Sequence, residues 1–292
     1  MRSGLPFGWR RRRIDLPPRR WAALACAGLL AVTLGGSACT SSGGLSAPGA
    51  TEPPATTIAE RPLTEEQRIV VSRLLQRNYE ALGTTFTVRL PDGSATMRAE
   101  VEWAKGRGHA TVVNDGVTSE LFWTGTEMLD GTIPGLAEAL AASGHPSGRF
   151  VSRQVEPTYS LLDIVVSILS GLGSETRDNP VALQDQDLAY QGQRNLDGRL
   201  VDVFRFGKRT YYLVDAATGE MVGLDATLAS VDGIVEVRIV ANAAVTVKGP
   251  KRDEVVAGVD VADLYRNLTG KDLPGVTTPQ PQGTNSTFGP PS

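Results

Sequence analysis

The sequence has little of what enzymes and metal proteins most often use. Only two histidines and two cysteines occur in 292 residues. His109 and His145 have no second histidine or cysteine at the spacing of a zinc or haem site. The sequence contains no G-x-S-x-G nucleophile turn and no phosphate-binding loop. We therefore expect no metal, no cofactor and no catalytic residues, and we predict that the protein is not an enzyme.

The sequence also lacks an excess of positive charge. The formal net charge of the whole chain is −3, and its N-terminal 38 residues carry seven arginines but only one acidic residue, Asp15. Without that segment, 22 basic and 31 acidic residues remain, a net charge near −9. Binding to nucleic acid depends on cations that neutralise phosphates, and adsorption to anionic lipid depends on basic clusters. The charge balance therefore argues against a nucleic-acid partner and against electrostatic membrane binding.

Long apolar runs are absent except for one near the N-terminus. Residues 21–34, "WAALACAGLLAVTL", are uncharged and follow a basic segment. Their number matches the apolar core of a signal peptide, about 7–15 residues, and falls short of the about 20 that a membrane-spanning helix needs. Small residues, 35–38, follow the run. We predict a signal peptide over residues 1–38 and export of the rest.

Cys39 stands directly after this predicted signal. Ser37 and Ala38 precede it, and the stretch resembles the lipobox of bacterial lipoproteins, whose cysteine receives a diacylglyceryl group; Gly36 stands where that pattern has Leu or a similar aliphatic residue. Cys26 is removed with the signal, so Cys39 has no disulfide partner. Two acyl chains anchor a protein stably, whereas one does not. We expect lipidation at Cys39, with ordinary cleavage as the alternative, and localisation at the extracytoplasmic face of the cell membrane.

The folded part is predicted over residues 63–270, between a linker rich in Ser, Thr, Gly and Pro (39–62) and a similar C-terminal tail (271–292). A capping-box pattern at Thr64 and Gln67 begins a helix over 63–82. About four strands with period-two alternation follow, then central helices, about four further strands and a last short helix after Asp260. Such alternation indicates an antiparallel sheet with one apolar and one wet face, and we expect Asp202 on the wet face rather than in a pocket.

This order of elements, with the phrases "YEALGTTFTVRL" and "LVDVFRF…YYLVDAATGEMVGLDATL", resembles the LppX/LprAFG family of actinobacterial envelope lipoproteins over about residues 63–247. More distantly it is similar to the LolA/LolB lipoprotein carriers. The resemblance implies an α+β fold in which a curved antiparallel half-barrel sheet packs over a few helices. It also implies an apolar cavity that holds acyl chains of lipids or glycolipids, with the helix at 161–172 in the mouth of the half-barrel.

The residues themselves support a cavity more weakly. An apolar sheet face that few helices cover leaves a pocket lined by aliphatic and aromatic side chains, although the same residues can also pack into a solid core. The candidate lining residues are apolar positions of the predicted strands and of the central helix: Val88, Val101, Trp103, Phe122, Leu161, Leu162, Val165, Ile168, Leu169 and Phe204.

Two functions are therefore predicted. The first is a membrane-anchored envelope lipoprotein that binds, and in one version transfers, lipid or glycolipid without catalysing a reaction. The alternative is an envelope sensor or protein-interaction module with the same fold and a protein partner. An open apolar pocket above about 300 Å³ favours the first function. A dry, narrow core and an exposed sheet edge favour the second.

Overall fold

The computed structural model describes residues 60–93, 95–228 and 233–275. The predicted signal peptide, Cys39, nearly all of the predicted linker and the tail beyond residue 275 lie outside the described residues. Within the described part, none of the helices combines the length and the apolar character needed to cross a membrane.

The described residues form five α-helices, all of ten residues or fewer. They are α1 (Glu65–Val71), α2 (Leu74–Glu80), α3 (Leu136–Ala142), α4 (Leu161–Ser170) and α5 (Ala262–Thr269). The predicted capping box begins α1: the backbone N–H of Gln67 donates to Thr64 Oγ1 (3.3 Å), and the backbone N–H of Thr64 donates to Gln67 Oε1 (3.0 Å).

The single helix predicted over residues 63–82 is in fact two helices, α1 and α2. The break falls at Ser72, whose hydroxyl donates to the carbonyl of Ile69 (2.8 Å). The same residue accepts from a distant connector: Arg177 Nε donates to Ser72 Oγ (2.9 Å), and the backbone N–H of Asp178 donates to the Ser72 carbonyl (3.0 Å). A serine that serves partners outside the helix weakens the helical hydrogen-bond ladder at that point.

Twelve strands form one open sheet. They are β1 (Gly83–Arg89), β2 (Ala95–Glu102), β3 (Arg107–Asn114), β4 (Val117–Thr124), β5 (Glu127–Asp130), β6 (Phe150–Gln154), β7 (Leu188–Leu196), β8 (Arg199–Phe206), β9 (Thr210–Asp215), β10 (Met221–Thr227), β11 (Ile234–Asn242) and β12 (Val255–Ala257). The order is β12-β6-β5-β4-β3-β2-β1-β11-β10-β9-β8-β7, and the pairs are antiparallel except β12 with β6. The sheet and its few helices confirm the predicted α+β class with a curved half-barrel sheet.

The strand count exceeds the eight or so predicted because β5, β6 and β12 have only three to five residues, too few to show alternation. The two predicted groups of strands meet in the middle of the sheet, where Val88 of β1 pairs with Met97 on one side and Val237 on the other. The strand predicted over 234–247 ends at Asn242, after which the chain crosses the start of β1. A Cβ on Gly83 would lie 2.6 Å from the backbone nitrogen of Val245, so this crossing needs glycine.

Helices α1, α2 and α4 cover one face of the sheet, which we call the inner face. Its side chains form the main core together with Leu74 of α2 and Val165 and Leu169 of α4. The inner-face residues of the central strands include Phe86, Val88, Met97, Ala99, Val101, Ala110, Leu121, Trp123, Leu224, Val235 and Val237. Smaller apolar clusters lie where α3 and α5 meet β6 and β12, and on the opposite, outer face around Leu213 of β9.

Candidate functional site

The ligand cavity predicted from the sequence would lie on the inner face of the sheet. Six predicted lining residues lie in the main core: Val88, Val101, Trp103, Val165, Leu169 and Phe204. None of them is more than 7% exposed, and Val165 and Leu169 are fully buried. A side chain that faced an open cavity would keep surface accessible to a water-sized sphere. At these six positions the side chains are packed against other protein atoms.

Phe122 lies on the other side of the sheet. Its neighbours in β4, Leu121 and Trp123, both point into the main core, so Phe122 faces outward. Its ring stacks on His109 (4.5 Å between centroids) and meets Phe150 edge-on (5.4 Å). The prediction that Phe122 lines the same interior as Val88 is therefore wrong, because the alternation of β4 turns it to the outer face.

Helix α4 is apolar on two sides, as its sequence indicated. Val165, Val166 and Leu169 are buried against the sheet. The three remaining predicted lining residues, Leu161, Leu162 and Ile168, are half-buried and pack at the edge of the main core. The sheet therefore buries only one side of this helix, and a partly exposed apolar strip remains along its flank.

A buried ion cluster fixes the N-terminal end of α4 to the sheet. Arg153 of β6 donates two hydrogen bonds to Asp163 of α4 (2.7 and 2.9 Å) and one to Asp130 of β5 (3.0 Å). The three side chains are at most 4% exposed. Ser160 caps the helix by accepting from the backbone N–H of Asp163 (3.2 Å), and its hydroxyl donates to the Asp163 carboxylate.

This cluster is satisfied electrostatically. Burial disfavours the Arg153 cation, but the hydrogen bonds to Asp163 and the charges of Asp130 and Asp163 outweigh that cost and raise the Arg153 pKa above its usual value. The Arg153 guanidinium also lies 5.1 Å from the ring centroid of Tyr159, whose hydroxyl is 3.2 Å from that of Tyr265. The cluster holds α4 in place and leaves no free group for chemistry.

At the β7 side of the sheet the inner face stays partly open. Four apolar residues there, which we call the inner margin, are half-buried and pack at the edge of the main core: Leu188, Phe206, Tyr212 and Leu228. Leu188 pairs with Phe206 across β7 and β8, and the rings of Phe206 and Tyr212 lie 4.2 Å apart. The Tyr212 hydroxyl has no hydrogen-bond partner among the described residues.

The margin is a crevice rather than an open surface. Burial, with a smaller contribution from the charge of Asp178, raises the pKa of Tyr212 to about 12 although its side chain keeps accessible area. Asp178 belongs to the connector after α4, which crosses near this end of the sheet. Tyr212 is thus partly shielded from water without being fully buried.

A pocket of about 260 Å³ opens beside the inner margin. It is lined by Pro62, Leu63, Arg68, Leu183, Gln184 and Leu188. Leu63 and Leu183 belong to the main core, and Leu188 belongs to the margin. A second pocket of similar volume lies at the far end of β3–β5, between Phe122, Trp123 and the chain at Val247–Pro250. Both are smaller than the about 300 Å³ at which ligand pockets usually start.

The inner margin was missed because the sequence "RTYYLVD" shows two adjacent tyrosines but not which of them faces inward. Register settles it: Tyr212 pairs with the buried Phe204 and Leu224, whereas Tyr211 packs against the outer cluster. Asp202 is half-buried, and it accepts an exposed hydrogen bond from Gln193 Nε2 (3.0 Å). Asp202 alternates with the outward Val201 and Val203, and it accepts a hydrogen bond from the inner-face Tyr190 (2.8 Å).

The described residues contain no group of three or more His, Cys, Asp and Glu side chains close enough to hold a metal ion. His109 is paired with Glu120 (3.2 Å) on the outer face, in a geometry that strand pairing alone explains. The candidate site is the apolar inner face with its margin and pocket, whose lining suits an apolar ligand.

Comparison with known proteins shows distant similarity only. No protein-family model and no curated protein matches the chain. An uncharacterised conserved protein from Thermus thermophilus aligns with 66% of this chain and 99% of its own, at 10% identity and a TM-score of 0.37. MucB aligns with 67% of this chain at 18% identity and a TM-score of 0.31. The MucA/MucB complex of Pseudomonas aeruginosa aligns with 64% of this chain at 17% identity and a TM-score of 0.29.

This chain spans 64% of the first of these MucB chains and 59% of the MucB chain in the complex, slightly less than two thirds in each case. TM-scores of this size do not bear on function.

Proposed function

We propose that this protein is a non-enzymatic envelope lipoprotein, anchored to the extracytoplasmic face of the cell membrane through Cys39, that binds acyl chains of lipid or glycolipid on its inner face. The observation that carries the proposal is the inner margin: an apolar, half-buried crevice that joins the main core to a pocket of about 260 Å³. A ligand pocket is usually a concave site lined mainly by apolar and aromatic side chains, and the inner margin with its pocket has this composition.

The acyl chain would lie along the margin, with the flank of α4 as a second contact surface. The pocket alone is too small for a whole lipid, so a bound chain must extend over Phe206 and Tyr212 or displace part of the covering layer. The Arg153 cluster anchors the N-terminal end of α4. Any movement that enlarges the site would therefore occur at its C-terminal end, next to Gly171.

The protein-interaction alternative has an observation in its favour as well. The core beneath α4 is fully packed, and both pockets are smaller than about 300 Å³. Strand β7 ends the sheet, and only Arg61 is bridged to it, at Tyr190, among the described residues. A free strand edge can accept an extended segment of a partner protein.

One experiment separates the two functions. The full chain carrying Cys39→Ser, which cannot receive its own lipid, is produced with export and measured by native mass spectrometry, followed by organic extraction. We expect co-purified acyl lipid at close to one per protein. An unliganded mass that stays unchanged after incubation with envelope lipid extract would refute acyl binding and leave the interaction module as the better explanation.

A further inference from the structure

The pocket beside the inner margin has one charged lining residue. Five of its six lining residues are apolar or carry a neutral amide, and the sixth is Arg68 of α1. Arg68 is half-buried, and the one hydrogen bond of its side chain among the described residues goes from Nη1 to the carbonyl of Leu63 (2.8 Å). The charge of Glu66 acts on it only at longer range, and no carboxylate of the described residues forms an ion pair with it.

Two other arginines near the pocket have more of their donors occupied than Arg68. The neighbouring Arg61 is occupied by Gln67 Oε1 (3.0 Å), the carbonyl of Pro62 (3.1 Å) and the ring of Tyr190, whose centroid lies 4.3 Å away. Arg205, at the same edge of the sheet, is paired with Glu60 and Asp187. Arg68 thus keeps most of its guanidinium donors available toward the pocket.

A guanidinium presents a planar fork of donors that matches a carboxylate or phosphate group. Next to it, Leu63, Leu183 and Leu188 provide an apolar wall that continues into Phe206 and Tyr212 of the margin. A cation at the end of an apolar crevice has the chemistry that an amphiphile with an anionic head requires.

We propose that this pocket is the head-group site of the acyl ligand, and that Arg68 selects an anionic head, a carboxylate or a phosphate, over a neutral one. The acyl chain then runs from Leu188 along the inner margin. The inference rests on the proposed acyl binding. It adds that the ligand has an anionic head group and that Arg68 selects it.

The test compares two amphiphiles with the same chain, laurate and 1-lauroylglycerol, by calorimetric titration of the full chain carrying Cys39→Ser at neutral pH and 0.15 M salt. We expect laurate to bind at least tenfold more tightly than the ester. Arg68→Gln should lower the affinity for laurate at least tenfold and change that for the ester by less than about twofold. Arg68→Lys keeps the positive charge but loses the planar fork of donors, so its affinity for laurate should lie between those of the unsubstituted chain and Arg68→Gln.

Arg73→Gln is the matched control, because Arg73 is an exposed arginine that follows α1 and does not line the pocket. It should leave both affinities unchanged, and the melting temperature of each variant shows whether the fold is retained. Equal binding of laurate and ester by the unsubstituted chain, or an equal loss of both in Arg68→Gln, would overturn the head-group assignment alone. Absence of binding by both amphiphiles would contradict acyl binding itself.

Inorganic phosphate, added at 10 mM as a competitor, distinguishes an anionic lipid from a free anion. We expect phosphate to leave the laurate affinity within about twofold, because the chain supplies most of the contact area. Complete displacement of laurate by phosphate would overturn the acyl part of the proposal and identify a simple anion site.

Discussion

Arg153 is the residue on which the position of α4 depends most. Its replacement by alanine would leave Asp130 and Asp163 buried without a cation. Removing one partner of a buried ion pair costs about 3–5 kcal/mol, because the remaining charge has no compensation. We expect Arg153→Ala to lower the free energy of unfolding by about that amount, as measured by urea denaturation.

The control for this prediction is Arg89→Ala, which breaks the exposed Arg89–Glu236 pair (3.5 Å, with the arginine 67% exposed). Exposed pairs contribute about 0–1 kcal/mol, so this variant should be nearly as stable as the parent. If both variants lost the same stability, the burial argument for Arg153 would fail.

The orientation of a strand residue can be predicted from the sequence, whereas a cluster of distant residues cannot. The outward orientation of Phe122 follows from the alternation of Leu121 and Trp123, and a stricter use of that signal predicts it. The Arg153 cluster gives no such signal, since it joins positions 130, 153 and 163 from two strands and a helix. Only the pairing of β5 with β6, which sets Met128 opposite Arg153, brings these side chains to one face.

At the scale of elements, α4 has a buried side and a half-buried side that should respond differently to truncation. Leu169 is fully buried against the sheet, whereas Ile164 is half-buried on the opposite side. Leucine-to-alanine changes in a packed core cost about 2–5 kcal/mol because they leave a cavity. We expect Leu169→Ala to lose stability in that range and Ile164→Ala to lose less than about 1 kcal/mol.

The two α4 variants also separate folding from binding. Ile164 lies one helical turn from Leu161 and from Ile168, and so belongs to the flank of α4. If this flank contacts the acyl chain, Ile164→Ala weakens lipid binding in a protein that still melts near the parental temperature. Equal losses of stability in both variants, followed by urea denaturation, would show instead that both sides of α4 are core.

Elements whose signals are local could be predicted, and those that depend on distant partners could not. The capping box at Thr64 lies within four residues, as does the hairpin turn at Asp115 and Gly116, where both residues have positive φ. The break between α1 and α2 depends on Arg177 and Asp178, about a hundred residues away, so no local pattern around Ser72 reveals it.

The two halves of the sheet, β2–β6 and β7–β10, are joined through the pairing of β1 with β11. Composition and alternation predict that the strands before and after the central helices are antiparallel. They do not predict which of these strands become neighbours. That pairing decides that the inner face is continuous and that its partly covered end falls at β7–β9.

The whole molecule should lose stability at alkaline pH through its shielded tyrosines. Burial raises the pKa of Tyr190 to about 12, with a further contribution from its hydrogen bond to Asp202, and burial raises that of Tyr212 to about 12. An unfolded tyrosine loses its proton near pH 10. Between pH 10 and 12 the folded state therefore binds more protons than the unfolded state, and the free energy of unfolding falls as the pH rises.

Tyr212→Phe isolates one of these contributions, because the Tyr212 hydroxyl has no partner among the described residues whose loss would confuse the comparison. Measured by urea denaturation at pH 9 and pH 11.5, the fall in the free energy of unfolding should be smaller in this variant by about 2 kcal/mol. The parent chain, measured at the same two pH values, is the reference. If Tyr212→Phe lost as much stability as the parent between these pH values, the inner margin would be open to bulk water, and the site proposed for the acyl chain would lose its physical basis.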